Sequence, residues 1–260
     1  FARERRDPDL VGAVCAQCHS GPSPRLPDGA ALRNSSESLD LAASPCTGIK
    51  CTDCHDPHRG GADPARAIAA CTGCHPTVSP RAHAGDGHDA VTCLDCHMPR
   101  IVMGIDRFVR SHRISSPTDP VMLARAAPNA CNLCHLDRSI QWTLDEIALR
   151  HGVRLDPRAV AGDADPDASV GEVWLSSPQP GIRLVAAAAY AASPLGRFAL
   201  RDLVRGLDDD LAYVRAWTQF AVEDILGRRL PPAAYDPRDP RPVRRARIER
   251  LVRALAARSR

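Results

Sequence analysis

The chain is short of aromatic residues: three Trp, three Tyr and four Phe make up 4% of its 260 residues. Large rings normally supply much of a core's buried area. A core built from protein alone is therefore expected to be thin, above all before residue 155, where Gly, Pro, Ser and Asp abound. Lysine is almost missing, since Lys50 stands alone among 34 basic residues; the rest are arginines, whose planar forks pair with carboxylates. Methionine is limited to Met98, Met103 and Met122. No apolar run approaches the roughly 18 residues that cross a membrane, so no membrane-spanning segment is expected. The start, Phe-Ala-Arg-Glu-Arg-Arg, lacks the apolar stretch of a signal peptide.

Cysteine is where the chain is rich. Ten of eleven cysteines fall in five copies of Cys-x-x-Cys-His: Cys15/Cys18/His19, Cys51/Cys54/His55, Cys71/Cys74/His75, Cys93/Cys96/His97 and Cys131/Cys134/His135. Each copy reads as a covalent c-type haem site. Two thiols add across the two vinyl groups of one porphyrin, and the adjoining histidine binds the iron from the proximal side. Zinc sites also repeat Cys-x-x-Cys but need no histidine after every second cysteine, and a thioredoxin-like dithiol normally occurs once. Exported chains often pair cysteines as disulfides. The repeated full motif favours five haem c groups, with zinc and disulfides as the alternatives. Cys46 is left over and reads as a buried small residue, or else as a partner for intermolecular pairing. A ferric bis-histidine haem with ionised propionates brings about one negative charge, so five take the formal +3 to roughly −2. The apparent basicity is thus no sign of nucleic-acid binding, and arginine suits the propionates.

Five of the ten histidines lie outside the motifs: His58, His83, His88, His112 and His151. One spare imidazole per iron is the number that bis-histidine ligation throughout would need, which predicts low-potential, six-coordinate haems. His58 follows His55 by three residues and cannot fold back to the far face of its own iron. It is a candidate ligand for a neighbouring haem, or a solvated loop residue. His151 follows the helical pattern Trp142–Arg150 and precedes Gly152, where a histidine can equally complement a helix C-terminus. The three methionines read as filling gaps against porphyrin rather than as ligands.

The fold expected is mainly α with little or no β. Residues 1–151 read as a haem-nucleated, loop-rich pentahaem domain, punctuated by Pro22, Pro24, Pro27, Gly29, Pro45, Gly60, Gly61, Pro64, Gly85 and Gly87. About twenty residues separate the second, third and fourth motifs, which forces neighbouring porphyrins together. A linker at 152–167 leads to a helical domain at 168–260. There apolar residues recur at Ile182, Val185, Ala186 and Ala189, at Leu200, Leu203, Val204 and Leu207, and at Val214, Trp217, Ala221 and Leu226. Ile182-Arg183 and Val214-Arg215 stand 32 residues apart, the look of a HEAT-like hairpin repeat, with a small helical bundle as the alternative. From Pro242 an amphipathic helix sets Ile248, Leu251, Val252 and Leu255 against Arg244, Arg245, Arg247, Arg250 and Arg253. That basic face reads as solvated, or as a docking face for an acidic redox partner.

Val14-Cys15-Ala-Gln-Cys18-His19, Cys51-Thr-Asp-Cys54-His55-Asp-Pro-His58, Cys93-Leu-Asp-Cys96-His97-Met-Pro, Ser111-His112-Arg113 and Asn129-Ala-Cys131-Asn-Leu-Cys134-His135 together resemble exported multihaem c-type cytochromes. The resemblance extends distantly to the tetrahaem electron carriers of ammonia oxidation, and such proteins often carry a C-terminal helical repeat of the tetratricopeptide or HEAT kind. It covers about residues 14–151 and is loose beyond. It implies distal ligation by His83, His88 and His112. It implies no such role for His151, near which relatives tend to carry an aromatic residue. Covalent haem attachment normally happens outside the cytoplasmic membrane, so a periplasmic or extracellular location is expected, with an export signal removed before this numbering begins or the chain a processed piece of something longer. The function expected is electron transfer along a chain of haems, with redox proteins or other multihaem cytochromes as partners and no bond-making catalysis. Two alternatives stay open. One is reduction of nitrite, hydroxylamine or another small oxyanion at an open haem of His19 or His135, the ends of the array. The other is a subunit of a larger or polymeric haem assembly, a homo-oligomer or filament.

If porphyrin supplies the missing core, the chain produced without haem is expected to have an unfolded first half. Limited proteolysis should then degrade residues 1–151 and spare a helical fragment from about residue 168 onward; equal protection of both halves contradicts this.

Overall fold

The computed structural model describes residues 7–59 and 63–258; the segment at residues 1–6 and the Gly60-Gly61 pair lie outside the described residues. Among the described residues the protein is mainly helical, with a single two-stranded ribbon.

Aspartate followed by proline starts four of the helices. Asp7, Asp63, Asp119 and Asp156 each cap the next residues with a carboxylate oxygen, and the following proline takes the first helical position. The carboxylate satisfies orphan amides of the first turn, and the ring presets φ where no amide hydrogen is needed. The prolines that break up the pattern are therefore also what begins its helices.

By its internal contacts the chain forms two compact units, residues 1–130 with 149–153, and residues 131–148 with 154–260. The first unit holds α1 (Pro8–His19), α2 (Glu37–Ala42), α3 (Cys51–Cys54), α4 (Pro64–Cys74), α5 (Pro80–Ala84) and α6 (Cys93–His97), then the ribbon and α7 (Pro120–Ala124). In the ribbon, β1 (Val102–Met103) pairs antiparallel with β2 (Phe108–Val109), Val102 opposite Val109 and Met103 opposite Phe108. The apolar residues buried here are aliphatic rather than aromatic, among them Leu26, Leu32, Leu94, Ile101, Met122 and Leu123. Polar contacts also bind the loops. Buried Asp40 accepts from Arg25 at 2.6 Å and from the Ala31 amide at 3.0 Å, and Ser44 Oγ accepts from the Ile114 amide at 2.9 Å.

α8 (Ala130–Cys134) carries the fifth motif, and α9 (Ile140–His151) ends at Gly152, whose φ of +71° stops the helix. The rest of the second unit comprises α10 (Pro157–Ala161), α11 (Val170–Leu175), α12 (Pro180–Ala191), α13 (Gly196–Leu203) with a 3-10 turn over Val204–Asp208, α14 (Ala212–Leu226) and α15 (Arg241–Arg258). α10 falls inside the stretch read as a linker, its aspartate-proline start overriding the loop-like composition. Leu136, Trp174, Val185, Tyr190, Leu203, Leu207, Val222 and Tyr235 are all buried in this unit, at about 1.5–3 kcal/mol for a fully buried apolar side chain. Tyr235 Oη donates to the Leu207 carbonyl at 2.6 Å, and burial pushes its ionisation up. Arg183 and Arg215, 32 residues apart, make the same contact: each donates to the carbonyl six residues upstream, Ser177 and Asp209, at 2.7 Å.

The arginines of α15 do not form a purely solvated face. Arg244 is buried, and with Arg241 and Arg245 it converges on Asp208, at 3.0, 3.3 and 2.8 Å respectively. Arg247 pairs with Asp239 at 3.0 Å. Burial raises the Asp208 pKa, but the three guanidiniums outweigh it and hold the carboxyl below its usual range. A carboxylate depressed by folding contributes stability above its unfolded pKa and loses it as pH falls through the folded value. The substitution Asp208→Asn leaves Arg244 buried without its anion, so it is expected to cost about 1–3 kcal/mol. Urea unfolding should also lose part of its dependence on pH on the acid side; a variant with wild-type stability at pH 7 contradicts this.

Candidate haem sites

Each Cys-x-x-Cys-His copy lies on a single turn or at the end of a helix, which puts both thiols on one side and the imidazole just beyond. In the second and fourth copies the aspartate inside the motif builds that turn. Asp53 accepts from the Lys50 amide at 2.9 Å, and Asp95 accepts from both the amide and hydroxyl of Thr92 at 2.8 Å, each carboxylate reaching back to the residue that starts its turn. Arginines then hold the turns from their carbonyl side. Arg66 in α4 donates to the Thr52 and Asp53 carbonyls at 2.7 and 3.2 Å. Arg110 donates to the carbonyls of Leu94 and Met98 at 2.5 and 3.2 Å and pairs with Asp95 at 2.7 Å. These two arginines, suited on sequence grounds to propionates, grip motif backbone.

The helices of the first four motifs pack in chain order, α1 on α3, α3 on α4 and α4 on α6. Their thiols approach one another accordingly. Burial first, then a hydrogen bond with Cys15, pushes Cys51 up to about 11. Burial and Cys71 raise Cys54, and burial with Cys93 and Cys46 raises Cys71. Cys46 is half-buried, less enclosed than expected. Among the described residues no disulfide joins any two cysteines, and no three His, Cys, Asp or Glu side chains group as a metal cluster.

Two motif histidines each face a spare histidine. The rings of His55 and His112 have centres 6.0 Å apart with planes 20° from parallel, and His83 and His97 stand 6.0 Å apart at 18°. Two imidazoles bound end-on to opposite faces of one transition-metal ion, each nitrogen about 2.0–2.1 Å from it, have centres roughly 6 Å apart. The spacing fits a haem iron between each couple, with the neighbouring thiols as anchors. Burial, reinforced by His55, lowers the His112 pKa despite the opposing pull of Glu37, which favours the neutral imidazole a metal requires. His151 lies 5.8 Å from His83, tilted by 56°; burial, His83 and Arg150 lower its pKa too. His88 is partly buried. His58 is exposed in the turn after α3, its amide donating to Asp56 at 3.0 Å. His75 is exposed at the end of α4. His19 Nδ1 lies 3.0 Å from Glu37 Oε2, and His97 Nδ1 lies 2.8 Å from the Ser115 carbonyl.

The fifth motif is built into the second unit. Beyond it, the Leu136 and Arg138 carbonyls accept from the amides of Gly171 and Val170 at 2.9 and 2.8 Å. Gly171 is required there, since a Cβ would collide with Tyr190 Oη. Buried Asn132 inside the motif donates to Thr143 Oγ1 at 2.8 Å. The ring beside His135 is Trp142, 4.9 Å away and tilted by 51°.

Residues 75–163 match the family model of cytochrome c552. That stretch, about a third of the chain, runs from His75 through the fourth and fifth motifs and takes in His83, His88, His112 and His151. The match supports a c-type cytochrome, a protein of covalent haem and electron transport. No curated protein and no solved structure matches the chain. No described helix is long and apolar enough to cross a membrane. The cytochrome c552 match leaves outside it the first two motifs and both cysteines of the third; for the first two, Asp53, Arg66, Glu37 and the His55–His112 couple carry the reading. Motif spacing alone does not reveal the capping aspartates or the gripping arginines, although the three-residue separation of Lys50 and Thr92 from the motif aspartates is a signal for the former.

Proposed function

We propose that the chain carries electrons through five covalently attached haem c groups, most with two histidine ligands, and exchanges them with other redox proteins outside the cytoplasm. The observation that carries this reading is the two imidazole couples, His55 with His112 and His83 with His97, each 6.0 Å apart. When bound, haem supplies a centre that accepts and releases one electron. The protein does the rest. Ten motif cysteines anchor the porphyrins, His19, His55, His75, His97 and His135 bind proximally, and His112 and His83 bind distally at the second and fourth haems. His58, His88 and His151 are the distal candidates for the haems of His19 and His75. Consecutive packing of α1, α3, α4 and α6 supports an array in motif order. The matching contacts of Arg183 and Arg215 support a HEAT-like repeat as the scaffold of the second unit.

In the holoprotein, His112→Ala and His83→Ala are each expected to turn one low-spin ferric haem high-spin and to let carbon monoxide bind it after reduction. Electron paramagnetic resonance and optical spectra read this directly. Unchanged spin states in both variants overturn the ligand assignment.

A second reading, reduction of a small nitrogen oxyanion or hydroxylamine, draws on the fifth motif. The second unit holds no histidine besides His135 and no methionine, so that unit offers its haem neither of the usual second axial ligands. On this reading the oxidised protein shows one high-spin ferric haem in five, and five low-spin haems overturn it. Turnover of nitrite or hydroxylamine by the reduced protein would make it an enzyme, whereas no turnover leaves it a carrier.

A further inference from the structure

His19 ends α1, and the group against its Nδ1 is a carboxylate, Glu37 Oε2 at 3.0 Å. That carboxylate is fixed from its other side, where Oε1 accepts from the Ser35 amide at 2.9 Å. Ser38 Oγ donates to the His19 carbonyl at 2.7 Å, and Ser36 Oγ donates to the Gly21 carbonyl at 2.5 Å. The start of α2 is thus stitched to the end of α1 around one imidazole. His97, at the fourth motif, presents the same nitrogen to a neutral group, the Ser115 carbonyl, at 2.8 Å. Both contacts fix a tautomer and leave Nε2 for a metal. Only the partner of His19 is an anion.

A metal-bound imidazole that donates its second N–H to a carboxylate becomes a stronger electron donor, and a stronger donor favours the ferric over the ferrous iron. We propose that Glu37 is a positioning residue for the first haem, holding His19 by its Nδ1–H and lowering the reduction potential of that haem below the value a neutral partner would set. The proposal rests on the reading of Cys15, Cys18 and His19 as a haem site. Its consequence is a bias along the array, with an electron held less firmly at the His19 end. With 57% of the His19 side chain exposed, water screens part of the charge.

The test is a spectroelectrochemical titration of the full holoprotein, wild type against Glu37→Gln, with haem counted by intact mass and peptide mapping. The glutamine keeps an acceptor for Nδ1–H and removes only the charge. The potential of the His19 haem should move positive by the largest amount and its spread of g-values should widen; the haem of His55 and His112, whose His112 also feels the Glu37 charge, should move less, and the other three should not move. Five haems with unmoved potentials overturn the proposal alone, while a wild-type protein lacking haem at Cys15 and Cys18 overturns it together with the haem reading. If Glu37→Gln loses that haem, Glu37→Asp decides. Its carboxylate is withdrawn by one methylene, so a smaller positive shift is expected, and no shift overturns the proposal.

Discussion

The first unit depends on polar clamps that fix the motif turns. Its buried apolar residues are aliphatic, with no aromatic ring among those described. Asp53 and Asp95 close the N-terminal end of a turn, Arg66 and Arg110 close the carbonyl end, and Asp40 and Ser44 bind the loops between. Charge-assisted bonds of this kind are directional. They can position a thiol and an imidazole without the broad contact area that a conventional core demands.

How much of this is legible in the sequence follows from the range of each interaction. The motifs are local, and so their chemistry is read directly from spacing. Helix starts are local as well, yet Pro64 reads as punctuation, because a proline breaks a helix in its interior and begins one at its first position. The aspartate before it decides between the two. The histidine couples are not legible. His55 and His112 are 57 residues apart in sequence, and nothing in composition or periodicity says which spare imidazole meets which motif. The family resemblance makes His83 and His112 candidates, and only the fold brings them to His97 and His55.

The second unit solves the opposite problem. Its core is continuous and apolar, with Val185, Leu207 and Val222 fully buried, and its hydrophobic period is plain from the spacing of apolar residues. What the period does not show is where the charges go. The arginines of α15 read as a solvated or docking face because a helical pattern records only which side is apolar. Asp208 lies 36 residues before Arg244, and a pairing at that distance is invisible to the pattern.

The spare histidines look different once they are assigned to units. Counted over the whole chain, five spare imidazoles match five irons. Divided by contact, all five spares fall in the first unit with four motifs, and none falls in the second with the fifth. The equality in number therefore does not imply one distal histidine for each haem. Within the first unit the surplus is visible around His83, which has His97 on one side and His151 on the other. Within the second the deficit is visible around His135, whose neighbouring ring is Trp142. An indole is apolar on its faces and donates only through its ring N–H, so it can shield an imidazole but offers a metal no lone pair. Four Cys-x-x-Cys-His motifs thus lie in the unit rich in imidazole and one lies in the unit poor in it.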